Sequence, residues 1–308
     1  MKALRILLVV GVVLLAVGWL GRSWLLGAEP IPETSSYELD LAQVRQAAAE
    51  LPGQKPLRVN EELVAEASMP RAAVFAGESF DPHPMVHRAF QVVWEDSTAV
   101  IDAAMGLAMA EEMAAASGGE TTFHADAYDR VQAGLEGAEA IVFTHEHQDH
   151  IDGVAKGNAS VLASRVRFNA AQLANTEALD LVGMPEALRT QGMPLAARRY
   201  APVAPGVVAI EAAGHTPGNQ MIYVGLRDGR ELLFVGDTAW HMRQIRELIY
   251  RPRLVTDFIL GEDRAATMAE IRVLHELDKS GEVKLVVSHD ADQRQRLFDE
   301  GWIGPRFE

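Results

Sequence analysis

Hydrophobic and polar positions follow three different patterns along the chain. Residues 6–21 are an unbroken uncharged, mostly apolar run, preceded by Lys2 and Arg5 and followed by Arg22. As a helix this run spans about 24 Å, or about 35 Å if it continues past Arg22 to Ala28. A bilayer core is about 30 Å thick, and an arginine near its edge can snorkel to the headgroups. Basic residues ahead of an apolar run mark an export signal. No Ala-x-Ala cleavage site is evident: the best candidate ends at Ala28, with Leu26 two residues before it. Residues 1–28 therefore read as an uncleaved signal anchor in preference to a removed signal peptide. Positive charge is retained in the cytoplasm. That orientation exports the rest of the chain to the outer, periplasmic side, or releases it if the signal is cleaved.

Residues 29–36 contain Pro30 and Pro32 among small polar residues and read as a linker. Residues 37–66 carry a helical spacing broken at Pro52-Gly53 and Pro56, so residues 29–71 are expected to be a linker and an N-terminal helical extension. From residue 72 the pattern changes to short apolar runs separated by turns. Strands are predicted over 72–76, 90–94, 98–103, 140–144, 207–212, 220–226, 231–235 and 284–287, and helices over 107–116, 125–135 and 263–277. Residues 160–173 fit either pattern. Met105, Met109 and Met113 recur at helical spacing and read as a core stripe. Two groups of strands, each followed by helices, predict one α/β domain over 72–308 with two sheets flanked by helices.

Composition narrows the chemistry. Apolar residues make up 48% and charged residues 23% of 308, an ordinary globular balance that argues against disorder. With 28 basic and 43 acidic residues the net charge is −15. Nucleic-acid binding is mostly phosphate neutralisation, so no such partner is expected. Cysteine is absent, which excludes disulfides, thiol nucleophiles and thiolate metal sites. A transition-metal site must then come from His, Asp and Glu.

One segment concentrates those residues. Thr144-His145-Glu146-His147-Gln148-Asp149-His150 places three of the ten histidines and an aspartate directly after a predicted strand. Residues two apart on extended chain point the same way, so His145 and His147 can grip one metal. Asp149 and His150 follow where the chain turns into a helix and can face a second. Three more candidates stand at strand ends: His215 in Gly214-His215-Thr216-Pro217-Gly218, Asp237 in Gly236-Asp237-Thr238, and His289 in Ser288-His289-Asp290. Loops at the ends of rigid strands converge on shared clefts. His241, four residues after Asp237, is a weaker candidate for the cleft wall. His83, His87, His124 and His275 read as surface residues, and Arg243, Arg246, Arg251 and Arg253 as a solvated basic face.

These pieces, in this order, resemble the metallo-β-lactamase-fold hydrolase superfamily. The resemblance spans residues 72–308 and implies a four-layer αββα sandwich. It implies that His145, His147 and His215 form one metal site, that Asp149, His150 and His289 form the other, and that Asp237 bridges them. Asp102 matches the family's early aspartate, which supports the ligand loop. The implied cofactors are two divalent ions. Zinc suits imidazole-rich sites, with iron or manganese as alternatives.

The implied activity is metal-assisted hydrolysis of a small molecule by a metal-bridging hydroxide, with Asp149 orienting it. The bridging carboxylate and the missing thiolate resemble the lactonase, glyoxalase II and phosphodiesterase branches more than true lactamases. His147 stands where the diiron redox branch carries Glu. An ester or lactone substrate is the leading expectation. β-Lactam or phosphodiester hydrolysis, a mononuclear-iron dioxygenase and a non-catalytic metal-stabilised binding or assembly factor are the alternatives.

Overall fold

The computed structural model describes residues 15–308. The first half of the expected anchor, residues 1–14, lies outside the described residues. Residues 15–26 are helical. Among the described residues no helix is long and apolar enough to cross a membrane.

The strands that follow form two sheets. The first contains β1 (Arg58–Pro70), β2 (Pro82–Val93), β3 (Thr98–Ile101), β4 (Thr121–Phe123), β5 (Ala140–Val142) and β6 (Val166–Arg167), in the order β4-β1-β2-β3-β5-β6. The second contains β7 (Tyr200–Ala204), β8 (Val207–Glu211), β9 (Gln220–Gly225), β10 (Glu231–Phe234) and β11 (Lys284–Val286), in the order β11-β10-β9-β8-β7. Pairing is antiparallel except β3–β5, β5–β6 and β10–β11.

Three buried clusters explain the layering. Phe90, Ile101 and Val142 of the first sheet meet Ile222, Val224 and Phe234 of the second. On its other face the first sheet packs Val100 and Ile141 against Val131 and Leu135 of the helix Ala125–Gly137 and Ile151 and Val154 of the helix Gln148–Ala155. The second sheet packs Ile210, Met221 and Leu233 against Val44 of the helix Leu41–Ala48, Ile245 of Met242–Glu247 and Leu274 of Arg264–Ser280. The chain is thus an αββα sandwich. Strands covered on both faces read as continuous apolar runs, and all six residues of β9 are buried. The methionine stripe is also core: Met105 is buried, with Met109 and Met113 packed beside it.

Several expectations are corrected. The expected helical extension over 37–66 contains only the helix Leu41–Ala48; Arg58–Pro70 is the long strand β1, paired with β2 along its whole length. The sheet therefore begins well before residue 72. Two acidic residues in this strand, Glu61 and Glu62, have buried side chains. Glu61 is matched by Arg88 at 2.8 Å and Arg294 at 2.5 Å, and Glu62 by Arg130 at 2.6 Å. Residues 71–74 form a helical turn instead of the expected strand. The ambiguous stretch 160–173 divides into short helices around β6.

Arg88 ties the sheets together. Its side chain is 1% exposed and donates to Glu61 and to the carbonyls of Val287 and Ser288, directly before His289. Removing one member of a buried ion pair leaves the other charge uncompensated. The Arg88→Met variant is therefore expected to lose about 3–5 kcal/mol of stability, read from the denaturant midpoint at unchanged slope. A loss below about 1 kcal/mol would show that the clamp is dispensable.

Candidate metal centre

The seven predicted side chains meet at the ends of the inner strands. β5 delivers the 144–150 segment, with His147 at the N-cap of the helix Gln148–Ala155 and Asp149 in its first turn. β8, β10 and β11 deliver the loops carrying His215, Asp237 and His289. His145 and His147 point to the cluster while the intervening Glu146 points away. There Glu146 accepts from Thr216 Oγ1 at 2.8 Å, from Asn175 Nδ2 at 3.1 Å and from the Gly218 amide at 3.3 Å, fastening the 214–218 loop.

Asp102 sits beneath this loop. It accepts from the Thr144 amide at 2.7 Å and Thr144 Oγ1 at 2.8 Å, and its Oδ2 lies 2.9 Å from His150 Nδ1. Its φ is +57°, and Ala104 follows at +51°. Such left-handed backbone persists only when neighbours enforce it. Here the helix Gln148–Ala155 packs so closely that a Cβ at Gly153 would collide with the Ala103 carbonyl.

Two sets of donor atoms result. His145 Nε2 lies 3.1 Å from His147 Nδ1, and His147 Nδ1 lies 2.9 Å from His215 Nε2. Asp237 Oδ2 stands 3.7 Å from His145 Nε2 and 3.6 Å from His215 Nε2. In the second set, Asp237 Oδ1 lies 3.4 Å from His150 Nε2 and 3.1 Å from His289 Nε2, and Asp149 Oδ2 lies 3.6 Å from each of those nitrogens. Asp237 belongs to both.

The outer nitrogens decide whether a cation suits these sets. His289 Nδ1 lies 2.9 Å from the Val86 carbonyl, which can only accept, so Nδ1 carries the proton. Its other nitrogen, Nε2, then faces the carboxylate oxygens of Asp237 and Asp149 and is the atom that could ligate a cation. His215 repeats the arrangement, with Nδ1 2.8 Å from Glu262 Oε1 and Nε2 facing inward. The buried Nε2 of His150 has no hydrogen-bond partner. Converging lone pairs and carboxylates repel unless a positive ion stands between them, so the donors fit two divalent ions. Tetrahedral ligands about 2.0–2.1 Å from zinc stand roughly 3.3 Å apart, close to the spacings seen.

The ionisation pattern shows the same demand. Burial, with the His150 charge beside it, holds His145 well below its ordinary pKa. Burial and His215 push His147 down to about 4. His150 moves the other way: burial disfavours its charge, but Asp149, Asp102 and Asp237 raise it well above the usual value. Burial likewise opposes ionisation of Asp149 and Asp237, and the surrounding imidazoles override it and hold both well below the carboxylate range.

A further group of side chains, absent from the sequence-based site, holds the ligands. Arg251, expected on a solvated face, is wholly buried; it bonds Glu262 Oε1 at 2.7 Å and the Asp237 carbonyl at 3.0 Å. Burial works against the Glu262 charge, but Arg251 lowers its pKa to about 2, so Glu262 stays a carboxylate against His215. Trp240 donates Nε1 to Asp237 Oδ2 at 2.6 Å. His83 and His87, expected at the surface, are 7% and 5% exposed. His87 Nδ1 lies 3.2 Å from Asp149 Oδ2, and its ring meets that of His289 at 4.9 Å. Two histidines four apart, and so on one face of β2, were the available signal. Glu262 offered none, being one acid in a Gly-Glu-Asp turn. His241 stays outside the two sets: it caps the helix Met242–Glu247 and stands against Asp290 and Phe75.

No protein-family model matches the chain, and no curated protein matches it by sequence. Solved structures do. An N-acyl homoserine lactone hydrolase, solved with N-hexanoyl-L-homoserine at its catalytic metal centre, aligns with a TM-score of 0.60 at 13% identity over 79% of this chain and 97% of that one. A dizinc quorum-quenching lactonase with bound product aligns at 0.55, with 15% identity over 79% and 92%. A hydrolase of the beta-lactamase superfamily aligns at 0.51, with 14% identity over 78% and 91%. The chain has the fold these proteins share.

Residues that orient metal ligands govern affinity nearly as strongly as the ligands do. His87→Ala is therefore expected to weaken retention of an ion at the Asp149–His289 side by about 10–100-fold in competition with a chelator. Unchanged retention in a folded variant would reduce His87 to a packing residue.

Proposed function

We propose that this chain is a two-metal hydrolase acting on the acyl–oxygen bond of a lactone or ester, exported and held at a membrane by its N-terminal segment. The sharing of Asp237 between two donor sets carries the reading. His145, His147 and His215 with Asp237 would hold one ion, and Asp149, His150 and His289 with Asp237 the other. Zinc matches a set of five imidazoles and two carboxylates without thiolate. Bound there, such a pair supplies Lewis acidity to the acyl oxygen and lowers the pKa of a shared water toward about 7.

The remaining work falls to protein groups. Asp149, braced by His87, would orient the attacking water, accept its proton and pass it to the alkoxide oxygen that leaves as the acyl–oxygen bond breaks. Trp240 restrains the Asp237 carboxylate through Oδ2 and Arg251 anchors its main-chain carbonyl, so that Asp237 would be held where both donor sets can share it. Glu262 fixes the proton on His215 Nδ1, leaving Nε2 free to ligate. The lactone preference rests on the shared fold of the lactone hydrolases and on the thiolate-free, carboxylate-bridged donor set. The run at residues 6–21 supports the membrane placement.

The test is turnover by the zinc-loaded full chain across lactones, carboxylic esters, β-lactams and phosphodiesters. Lactone or ester hydrolysis is expected, with kcat falling about 100-fold or more in Asp149→Asn. Turnover confined to β-lactams or phosphodiesters, or full activity in Asp149→Asn, would overturn the assignment.

A further inference from the structure

The helix over residues 15–26 leaves large apolar side chains in solvent: Trp19 is 67%, Leu20 58% and Trp24 54% exposed. Where it reaches the sandwich, other elements expose apolar residues around it. Phe80, in the turn before β2, is 57% exposed. The π-helical turn Leu254–Leu260 buries Val255 and Thr256 but exposes Phe258 at 62% and Ile259 at 68%.

These pieces are in contact. Trp24 meets Phe258 edge-on with ring centroids 6.0 Å apart. The guanidinium of the exposed Arg22 lies 5.8 Å over the Phe80 ring, and the Gly77 amide donates to the Leu26 carbonyl at 2.7 Å. The result is one apolar patch with tryptophan and arginine among its residues, on a protein of net charge −15.

We infer that this patch is a membrane-docking collar and that its occupant is the lipid bilayer surface. Three observations select a bilayer over a protein partner. The helix at its centre continues, in sequence, the uncharged run of residues 6–21 that carries Lys2 and Arg5 at its far end. Tryptophan with arginine is the composition of the membrane–water interface. The apolar side chains come from three separate segments that meet beside the helix of residues 15–26. The inference builds on the membrane placement proposed above and adds that the folded domain itself rests in the headgroup layer. Val255 of the π-helical turn belongs to the buried cluster that includes Trp240, the donor to Asp237.

Because the chain contains no cysteine, single nitroxide labels can be placed cleanly. Full-length Leu20→Cys, Ile259→Cys and Glu136→Cys chains are labelled and reconstituted in phosphatidylcholine–phosphatidylglycerol vesicles. Glu136, exposed in the last turn of the helix Ala125–Gly137 and outside the patch, serves as the aqueous control. Accessibility to oxygen is compared with that to a water-soluble nickel complex. The collar predicts that the labels at positions 20 and 259 both shift toward oxygen, while that at 136 stays with nickel. A label at 259 that remains aqueous while that at 20 inserts overturns the collar and leaves the anchor standing. Aqueous labels at both positions overturn both. Spin–spin broadening at 259 overturns the bilayer as occupant and assigns the patch to a second copy of the chain.

Discussion

The architecture turns on an electrostatic constraint at Asp237. Its carboxylate is buried, faces ring nitrogens of four imidazoles within 3.7 Å, and belongs to both donor sets. In a dry interior an uncompensated carboxylate is costly, and so is a lone pair aimed at one. Two cations held between these atoms would turn each repulsion into an attraction. Without them the cluster must borrow charge from His150, whose raised pKa records that demand.

Holding ligands under such tension needs rigid supports, and each has one. His145 to His150 ride on the loop fastened by Asp102 from beneath and Glu146 from behind. His215 is oriented by Glu262, which Arg251 keeps ionised and Tyr250 also contacts. His289 is steered by the Val86 carbonyl, from the strand that also supplies His87 and Arg88. Because Arg88 reaches across to the carbonyls just before His289, sheet packing and ligand placement are one problem. The αββα sandwich brings the ends of β5, β8, β10 and β11 to a common edge, and that convergence makes the centre from sequence-distant residues.

The candidate ligands that the fold brings together were legible in the sequence because their spacing has a short-range geometric reason: alternation along extended chain and loops at apolar strand tips. The inner strands were legible for a related reason, since burial on both faces leaves continuous apolar runs. The supports were not. Arg251, Glu262, Glu61 and Arg88 act only in pairs assembled by the fold, and a charged residue read alone looks solvated. The same blindness hid β1, whose buried glutamates resemble an exposed helical face until Arg88, Arg130 and Arg294 are placed beside them. His87 was misread because its partner Asp149 is 62 residues away.

The most direct test of this account is the number of ions the folded protein holds. Full-length chain is saturated with zinc, freed of excess by gel filtration and assayed for zinc by mass spectrometry. Two ions per chain are predicted, with His289→Ala retaining only the ion of the His145–His147–His215 set. A folded wild-type chain that retains no zinc, or only one ion that His289→Ala leaves in place, would contradict it.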